Sequence, residues 1–543
     1  MAQQDDWYLN AVFYELYLRA FTDSDGDGYG DLDGLRTRLD YLQWLGIDCI
    51  WIPPIYPSPL RDDGYDISSF YGIDPMYGLM ENLMMTLDEI HRRGMRLIMD
   101  LVLNHTSDQH PWFREARRSK DSPLRDYFVW SDTDDKYRDA RIIFIDTEKS
   151  NWAYDEVTGQ YYWHRFFSHQ PDLNYDNDKV QEEMLSITRF WLDIGIDGFR
   201  VDAVPYLFER EESNCENLTE THGFLKKLRR VVDEEYPGRL LLAEANQWPH
   251  DVVHYFGDLN NPSGDEFQMC FHFPVMPRLY MALAQNDRRS VVDILSRTPD
   301  IPDRCQWATF LRNHDELTLE MVTEEERDFM WNFYATEPRE RLNLGIRRRL
   351  APLMENDRRR IELMYSMLFT LPGAPVLYYG DEIGMGDNLE LPDRNGVRTP
   401  MQWNDRENAG FSDARLENLY APPVTGPEFG YSTVNVLNQN ITPDSLLNTV
   451  RGMILTRKGL SVLGKGKLEW IETLPKQALC FWRLNDEQRF LALHNLSEDP
   501  ITVPLPEGEV FDDPLSRSSE VITGSLTLES YGFRWLLTKQ DQA

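Results

Sequence analysis

Two charged side chains interrupt an apolar run in the stretch GIDGFRVDAVPY, residues 195 to 206. Side chains alternate across a β-strand, so Arg200 and Asp202 would point to the same side of the strand that this run predicts. An arginine beside an aspartate favours the carboxylate, which would lower the pKa of Asp202 and keep it ready as a nucleophile. A buried ion pair that only fills the interior is the structural alternative, but desolvation offsets the attraction in such pairs.

A second carboxyl group has a contrasting environment. Glu244 follows the apolar run 240 to 243, and an apolar setting would raise its pKa and hold a proton available near neutral pH. A carboxylate and a carboxylic acid whose pKa values are shifted in opposite directions are typical of enzymes that cleave glycosidic bonds. Asp202 and Glu244 therefore predict glycoside chemistry.

These side chains need a scaffold that brings distant parts of the chain together. Short β-rich apolar runs alternate with amphipathic helical stretches, and eight such repeats predict an α/β fold with a closed parallel (β/α)8 barrel, the TIM barrel. The candidate strands lie at 11 to 21, 46 to 56, 96 to 105, 197 to 204, 239 to 248, 269 to 276, 307 to 316 and 374 to 384.

Polar residues collect where several of these strands end, and active sites of such barrels lie at the strand ends. A single acid at such a position is more often a helix cap or an ion-pair partner. A set that converges from strands three, four, five and seven is better explained by catalysis. The set contains Asp100, Asn104, His105, Arg200, Asp202, Glu244, Asn313, His314 and Asp315.

Two connections are too long for ordinary barrel loops. Residues 105 to 177, rich in Trp, Tyr, Asp and His, predict a small inserted domain after strand three. Residues 322 to 360 follow strand seven and predict a charged helical insertion that would form a lid. After about residue 460, alternating stretches predict an antiparallel β-sandwich. The predicted domains are the barrel (1 to 104 and 178 to 460), the inserted domain (105 to 177) and the C-terminal β-sandwich (461 to 543).

Composition narrows the classes of partner. The 543-residue chain has a formal net charge of −35, which argues against nucleic acid and anionic membranes because both require a basic face. No apolar run reaches the roughly 18 residues of a membrane span, and MAQQDDWYLN at the N-terminus lacks the apolar segment of a signal peptide. Five widely spaced cysteines without metal spacing predict buried free thiols in a reducing compartment. We therefore expect a cytoplasmic protein.

Four motifs resemble the signature regions of the α-amylase family of retaining glycoside hydrolases and transglycosidases. They are DLVLNH (100 to 105), GFRVDAV (198 to 204), LLAEAN (241 to 246) and FLRNHDE (310 to 316), in order and at suitable spacing. The resemblance implies that Asp202 is the nucleophile, Glu244 the acid/base and Asp315 the stabiliser of an oxocarbenium-like transition state. It also implies sugar contacts from His105, Arg200, His314, Asp62 and Tyr65 of RDDGYD, Gln170 of QPDLN, and Arg394.

Within this family the whole chain is similar to the trehalose synthase group, through stretches such as AEANQWP, RNHDELTLEMVTEEERDFM and GVRTPMQW. The resemblance implies interconversion of maltose and trehalose by intramolecular glucosyl transfer, with minor hydrolysis to glucose. Asn246, two residues beyond Glu244, is a candidate contact for the freed glucose. Two rivals remain: an α-glucosidase or oligo-1,6-glucosidase that uses water as the acceptor, and a non-catalytic sugar-binding member, which the three retained acids disfavour. A homo-oligomer is compatible with the sequence.

An acidic loop predicts a metal site. In DSDGDGYGDLDG (23 to 34), four acids occupy positions 1, 3, 5 and 9 of an EF-hand-like loop: Asp23, Asp25, Asp27 and Asp31. Tyr29 would offer its carbonyl, but Gly34 replaces the bidentate Glu at position 12, so the loop is not a standard EF-hand. Clustered carboxylates favour Ca²⁺ or Mg²⁺ over a solvated turn.

A second Ca²⁺ site is implied only by the resemblance. Its ligands would be the side chains of Asn104, Asp172 and Glu209 and the carbonyls of Tyr206 and Leu207; loop caps are the alternative role for the acids. Either ion would order loops. No organic cofactor is expected, and the chain has no phosphate-binding GxxxxGK[ST] loop.

Overall fold

A closed barrel of eight parallel strands forms the centre of the molecule in the computed structural model, which describes residues 6–516 and 521–539. Outside these ranges lie residues 1 to 5 of the N-terminal stretch MAQQDDWYLN, and residues 517 to 520 and 540 to 543 of the predicted β-sandwich. Each barrel strand overlaps one candidate strand, so the predicted fold is confirmed. The strands are Phe13–Glu15, Cys49–Ile52, Arg96–Val102, Gly198–Asp202, Leu240–Ala243, Met269–Phe271, Gln306–Phe310 and Ala374–Tyr378.

Helices follow most of the strands and turn an apolar stripe toward them. In Asp178–Ile194, Asn177 caps the first turn and Gly195, with φ of 113°, ends the last. The α-helices are Leu18–Phe21, Leu32–Thr37, Leu39–Leu45, Met80–Arg92, Pro111–Ala116, Asp178–Ile194, Thr219–Glu235, Pro249–Val252, Val275–Gln285, Arg289–Ser296, Glu324–Tyr334, Leu350–Leu353, Arg358–Thr370, Val436–Ile441, Leu446–Lys458 and Ser461–Lys465. Short 3-10 helices are Trp7–Leu9, Pro75–Tyr77, Arg125–Tyr127, Val204–Tyr206, Val253–Phe256, Pro338–Glu340, Asp381–Ile383, Asp393–Val397, Glu407–Gly410 and Leu416–Asn418.

The register of barrel strands three and four decides which polar residues meet. Asp100 pairs with Arg200, and Val102 pairs with Asp202. At the start of strand four, Gly198 adopts φ of 149°, and a Cβ there would lie 2.1 Å from the carbonyl oxygen of Leu240. Only glycine therefore lets strands four and five pair this closely, and the ends of strands three to five lie side by side at one rim.

Residues 105 to 177 form an aromatic-rich unit above this rim. Three short antiparallel strands, Trp130–Ser131, Trp152–Asp155 and Gln160–Trp163, make a sheet. The rings of Trp152 and Trp163 pack edge to face with centroids 5.0 Å apart. The unit returns to the barrel through a bridge between His105 and Asp172. Its bounds as a separate domain stay a prediction.

The segment after strand seven is helical only in part. Glu324–Tyr334 is a helix that begins with a capping box between Thr323 and Glu326. Beyond it, Arg341–Leu342 and Gly345–Ile346 pair with each other, and the second also pairs with Leu317–Thr318. The expected helical insertion over 322 to 360 is therefore wrong for 341 to 346, because Asn343 adopts a left-handed conformation (φ 48°) that turns the chain into a hairpin.

Two antiparallel sheets make up the C-terminal part. Five strands form one sheet: Lys467–Trp470, Ala478–Leu484, Arg489–Asn495, Phe511–Asp512 and Phe533–Thr538. Ile501–Pro504 pairs with Ser525–Leu528 in the other. Apolar side chains of both sheets, including Leu491, Val503 and Leu528, form one buried cluster, as a sandwich requires.

Two further sequence-based expectations concern thiols and membranes. All five cysteines are buried and carry free thiols, as the sequence predicts. Among the described residues, no helix is both long enough and apolar enough to cross a membrane.

Candidate active site

A pocket of about 850 Å³, its open mouth included, lies where the barrel strands end. The three predicted catalytic acids, Asp202, Glu244 and Asp315, all line it. Five predicted sugar contacts also line it: Asp62, Tyr65, His105, Asn246 and Arg394. The other three predicted sugar contacts lie behind the lining of the pocket, and each contacts a residue of that lining. Gln170 contacts Asp62, Arg200 contacts Asp202, and His314 contacts Asp315.

Arg200 joins three carboxyl groups from three neighbouring strands. Its Nη1 lies 3.0 Å from Asp100 Oδ2 and 2.5 Å from Asp202 Oδ1, and its Nη2 lies 2.5 Å from Glu244 Oε1. The other oxygen of Glu244 accepts a hydrogen bond from Ala203 N at 3.1 Å. Ala203 adopts φ of 50°, a strained conformation of the kind that is common beside reacting groups. The guanidinium thus fixes Asp202 and Glu244 relative to each other.

Burial sets different protonation states for these two acids. It raises the pKa of Glu244 to about 8, because Arg200 only partly offsets the desolvation of the carboxylate, in agreement with the sequence-based expectation. The expected lowering of the pKa of Asp202 is wrong. Burial raises that pKa to about 6, since Arg200, which lowers it, is shared among three carboxyl groups. At pH 7 most Asp202 is nevertheless ionised and most Glu244 is protonated.

Three basic side chains surround Asp315 at the pocket: His314, Arg394 and Arg398. Burial raises the pKa of Asp315, but the charges of His314, Arg394 and Arg398 lower it well below the usual range. Arg394 Nη1 and Arg398 Nη2 lie 2.9 Å and 3.2 Å from Asp315 Oδ1. Asp315 therefore remains a carboxylate across the neutral range.

The remaining wall offers polar groups of fixed orientation. Gln170 Nε2 donates to Asp62 Oδ2 at 2.8 Å, and burial raises the pKa of Asp62 to about 7. Burial also lowers the pKa of His105 to about 3, so its ring is neutral. Its Nε2 is buried without a hydrogen-bond partner in the part of the chain that the structure describes. That nitrogen is free for a ligand, as expected of a sugar-binding residue.

Two charged residues behind this wall were missed in the sequence. Arg398 donates from Nε to the His314 carbonyl at 2.8 Å and forms an ion pair with Asp63. Asp63 also pairs with Arg19 at 2.5 Å. The adjacent acids of RDDGYD and the arginine of GVRTPMQW were the available signals, but spacing alone does not place them beside Asp315.

An arginine of the inserted unit pairs with side chains that line the pocket. Arg141 lies 2.8 Å from Glu320 and 2.8 Å from Glu216, and donates to Tyr206 Oη at 3.1 Å. Asn246 Nδ2 donates to the same Glu320 oxygen at 3.1 Å. Asn246 Oδ1 is buried and lacks a partner within the described ranges. We refer to Arg141, Glu216, Glu320, Tyr206 and Asn246 as the closing network. Glu320 lies in the stretch RNHDELTLEMVTEEERDFM, but the contacts of Arg141 with its two acids were not predicted.

Comparison with known proteins identifies the family. The model of the α-amylase catalytic domain matches residues 15–335 and 346–466, and that of the sucrose hydrolase-like C-terminal domain matches residues 488–537. The chain belongs to the α-amylase family. This confirms the resemblance drawn from the four motifs.

Individual relatives show which members of the α-amylase family this chain is similar to. The chain is 56% identical over 541 residues to the trehalose synthase/amylase TreS of Mycobacterium tuberculosis, which covers 97% of this chain and 90% of that protein. It is 51% identical to the trehalose synthase of Pimelobacter sp., covering 100% and 97%. The solved structure of the trehalulose synthase MutB from Pseudomonas mesoacidophila matches with a TM-score of 0.79 at 27% identity, covering 98% and 99%. The protein is thus an enzyme of the α-amylase family, and it groups with the trehalose synthases.

Three buried oxygen atoms beside the pocket fit a hard cation. Asn104 Oδ1, Asp172 Oδ2 and Glu209 Oε1 are buried with no hydrogen-bond partner among residues 6–516 and 521–539. Burial, then the charge of Asp172, raises the pKa of Glu209, and burial raises the pKa of Asp172 to about 8. Tyr206 and Leu207 precede Glu209 in one buried turn. This oxygen-only set is the kind that Ca²⁺ takes, so the implied ligands fit.

The acidic loop brings together three of its four predicted acid ligands. Among the described residues, Asp23, Asp25 and Asp27 place ligand atoms within 4.8 Å of one another. The carboxylate of Asp31 accepts hydrogen bonds from Ser24 N and Gly34 N, each at 2.7 Å, and caps the helix Leu32–Thr37; its role as a ligand stays a prediction. Tyr29 donates its N–H to Asp27 at 2.8 Å; its carbonyl as a ligand stays a prediction.

We expect Ca²⁺ to raise the thermal unfolding midpoint of chelator-treated protein through the Glu209 site, because an ion that binds only the folded state stabilises it by about 2.7 kcal/mol at 100 times its Kd. Glu209→Gln, which keeps the shape but removes one charge, should lose most of this shift. Circular dichroism with Ca²⁺ or Mg²⁺ measures it, and Asp25→Asn reports separately on the contribution of the acidic loop. An undiminished shift in Glu209→Gln would contradict the assignment.

Proposed function

We propose that this enzyme interconverts maltose and trehalose by intramolecular glucosyl transfer. The observation that supports this most is that Asp202 and Glu244 share one guanidinium while burial raises the pKa of Glu244 further than that of Asp202, in a pocket whose lining the closing network ties to the inserted unit. The first feature suits a retaining double displacement. The second suits a reaction in which water must stay out.

In the first half of the reaction, Asp202 attacks the anomeric carbon of the non-reducing glucose of maltose. Glu244 donates its proton to the bridging oxygen, the bond from that oxygen to the anomeric carbon breaks, and glucose is freed with its 4-hydroxyl restored. The product is a β-glucosyl ester of Asp202. The carboxylate of Asp315 stabilises the positive charge that develops on the sugar ring in the transition state.

In the second half, the freed glucose turns within the pocket and presents its anomeric hydroxyl. Glu244, now a carboxylate, takes the proton of that hydroxyl while the oxygen attacks the glucosyl carbon and releases Asp202. Two inversions give net retention and an α,α-linked disaccharide, trehalose. The acid is reprotonated, so no cofactor and no external proton is consumed.

The closing network supports transfer over hydrolysis. Arg141 ties the inserted unit to the loops after strands four and seven, and Glu320 ties that contact to Asn246. Water that entered would compete with glucose for the glucosyl ester, and freed glucose that left would leave only hydrolysis. The unpartnered Asn246 Oδ1 would accept a hydrogen bond from a hydroxyl group of the freed glucose.

The reaction itself is tested by incubating the pure protein with maltose and separating the products by chromatography over time. We expect mostly trehalose with a small share of glucose, and loss of both in Asp202→Ala because the glucosyl ester cannot form. Mostly glucose would replace the proposal with an α-glucosidase. No product from folded protein would favour a sugar-binding member without catalysis.

The pH dependence follows from the two acids. We expect kcat/KM for maltose to fall below about pH 6, as protonation removes the Asp202 nucleophile, and to fall above about pH 8, as Glu244 loses the proton that it must donate. Initial rates of maltose consumption in buffers of constant ionic strength measure this. Glu244→Gln should remove the alkaline limb, and an alkaline limb that persists in its residual activity would contradict the assignment.

Removing the Asn246 side chain should change the products more than the rate of maltose consumption. In Asn246→Ala the Glu320 contact and the polar group facing the freed glucose are both lost, so we expect the trehalose-to-glucose ratio to fall several-fold. The control is Asn260→Ala, an exposed asparagine whose side chain donates to Asp258. An unchanged ratio in Asn246→Ala would exclude this role.

A further inference from the structure

A fully buried carboxyl group lies behind the pocket, on the first barrel strand. Glu15 ends Phe13–Glu15 and has no exposed surface. Its Oε1 accepts hydrogen bonds from His314 N at 3.2 Å and lies 2.5 Å from His314 Nδ1. Its Oε2 has no partner in the described part of the chain. Glu15 does not line the pocket, so its effect on a substrate must pass through His314.

The other ring nitrogen of His314 faces two oxygen atoms. Nε2 lies 2.8 Å from Tyr65 Oη and 3.3 Å from Asp315 Oδ2. The single hydroxyl proton of Tyr65 is already used, because Tyr65 donates to Asp100 Oδ2 at 2.5 Å. The Tyr65 ring also stacks on the His314 ring, 9° from parallel, which holds Nε2 in this position.

The protons of His314 follow from this geometry. A carboxylate only accepts hydrogen bonds, so Nδ1 must carry a proton to bond Glu15. Nε2 must also carry one, because Tyr65 has no second proton to offer and Asp315 can only accept. A neutral imidazole has one N–H and cannot satisfy both sides.

We propose that Glu15 is a positioning residue that holds His314 as a doubly protonated imidazolium, which in turn fixes and supports the Asp315 carboxylate in the pocket. The arrangement is a chain of three charges, negative, positive and negative, that runs from the barrel interior to the reacting centre. Of these three residues, Asp315 lines the pocket.

The charged groups around His314 favour this state on balance. Burial and the guanidinium of Arg398 oppose a positive ring, whereas Asp315 and Glu15 favour it, and the pKa of His314 is raised. Asp100 acts on the same ring through Tyr65. Two acids in direct contact therefore outweigh one arginine, which reaches His314 through the backbone carbonyl.

The catalytic consequence rests on the proposed function. Positive charge develops on the glucosyl ring as the bond breaks, and Asp315 can stabilise it only while ionised and correctly oriented. Loss of the imidazolium would leave Asp315 with the two arginines but without its third cationic partner. The effect should fall on kcat more than on KM, because the charge exists in the transition state and not in bound maltose.

The test is a ¹⁵N NMR titration of the full-length protein labelled at histidine, with the His314 signals assigned from their loss in His314→Gln. We expect both ring nitrogens of His314 to stay protonated through neutral pH. In Glu15→Gln the titration should move down by about 1–3 pH units, the usual effect of one neighbouring charge. Glu15→Asp, which keeps the charge, should move it less.

Glu382→Gln is the matched control. Glu382 is also fully buried, accepts hydrogen bonds from Tyr14 and Tyr41, and has an Oε2 without a partner within the described residues. It does not contact His314, so its loss should leave the His314 signals unchanged. This variant separates the charge of Glu15 from the general effect of losing a buried carboxyl group.

Each outcome decides the proposal. A neutral His314 in the wild type at pH 7 overturns it, even if Glu15→Gln does not fold. An unmoved titration in folded Glu15→Gln overturns it as well. If the titration moves, kcat for maltose in Glu15→Gln should fall roughly 10-fold or more, and an unchanged kcat overturns the positioning role. A wild type that makes no trehalose refutes the proposed function and leaves the NMR result standing.

Discussion

The contact on which the site depends is the guanidinium of Arg200 between carboxyl groups of three neighbouring barrel strands. Removing the positive charge would leave Asp100, Asp202 and Glu244 buried together, a state that a low-dielectric interior does not tolerate. The parallel register aligns Asp100 with Arg200, so the backbone pairing and the charge pairing impose the same alignment. Because the strand register and the ion pairs require the same alignment, they favour one unique arrangement of these strands.

The same contact explains why the two acids do not behave alike. Both are buried beside one cation, yet the pKa of Glu244 is raised to about 8 and that of Asp202 only to about 6. Glu244 faces two acids, Asp202 and Asp315, whose negative charges add to burial. Asp202 receives a hydrogen bond from Glu244 and another from Arg200, both of which favour its ionised form. The hydrogen bond between the acids therefore widens the difference that the reaction needs.

Much of the fold and the pocket could be predicted from the sequence, because periodicity and strand-end polarity are local signals. The eight strands, the acids Asp202, Glu244 and Asp315, and the raised pKa of Glu244 follow from residues close together in the chain. Glu320 lies in the stretch RNHDELTLEMVTEEERDFM that carries the resemblance. Its contact with Arg141 could not be predicted, since the two residues are 179 positions apart in the chain. The sharing of the Arg200 charge among three carboxyl groups could not be predicted from the sequence either, because it depends on contacts across three strands.

The helix cap at Asp31 and the hairpin at 341 to 346, neither of which was predicted, have a related cause. An acid at the spacing of a metal ligand is also a good helix cap. At Asp31 the backbone N–H of Gly34 lies close enough to donate to the carboxylate, which makes this acid a cap. The charged segment after strand seven has helical composition, but Gly345–Ile346 gains a partner strand at Leu317–Thr318. In both places two local structures compete, and the contacts that the neighbouring part of the fold offers decide which one forms.

Tyr206 shows how one short turn would serve two purposes at once. Its hydroxyl accepts the hydrogen bond from Arg141 that closes the pocket, while its backbone leads into Leu207 and Glu209, beside the oxygen atoms that fit a cation. The turn starts two residues after Asp202, so the positions of Asp202, the closing network and the oxygen atoms that fit a cation are linked through a few backbone dihedrals. A change that loosens these oxygen atoms would therefore reach the proposed balance between transfer and hydrolysis without touching Asp202, Glu244 or Asp315.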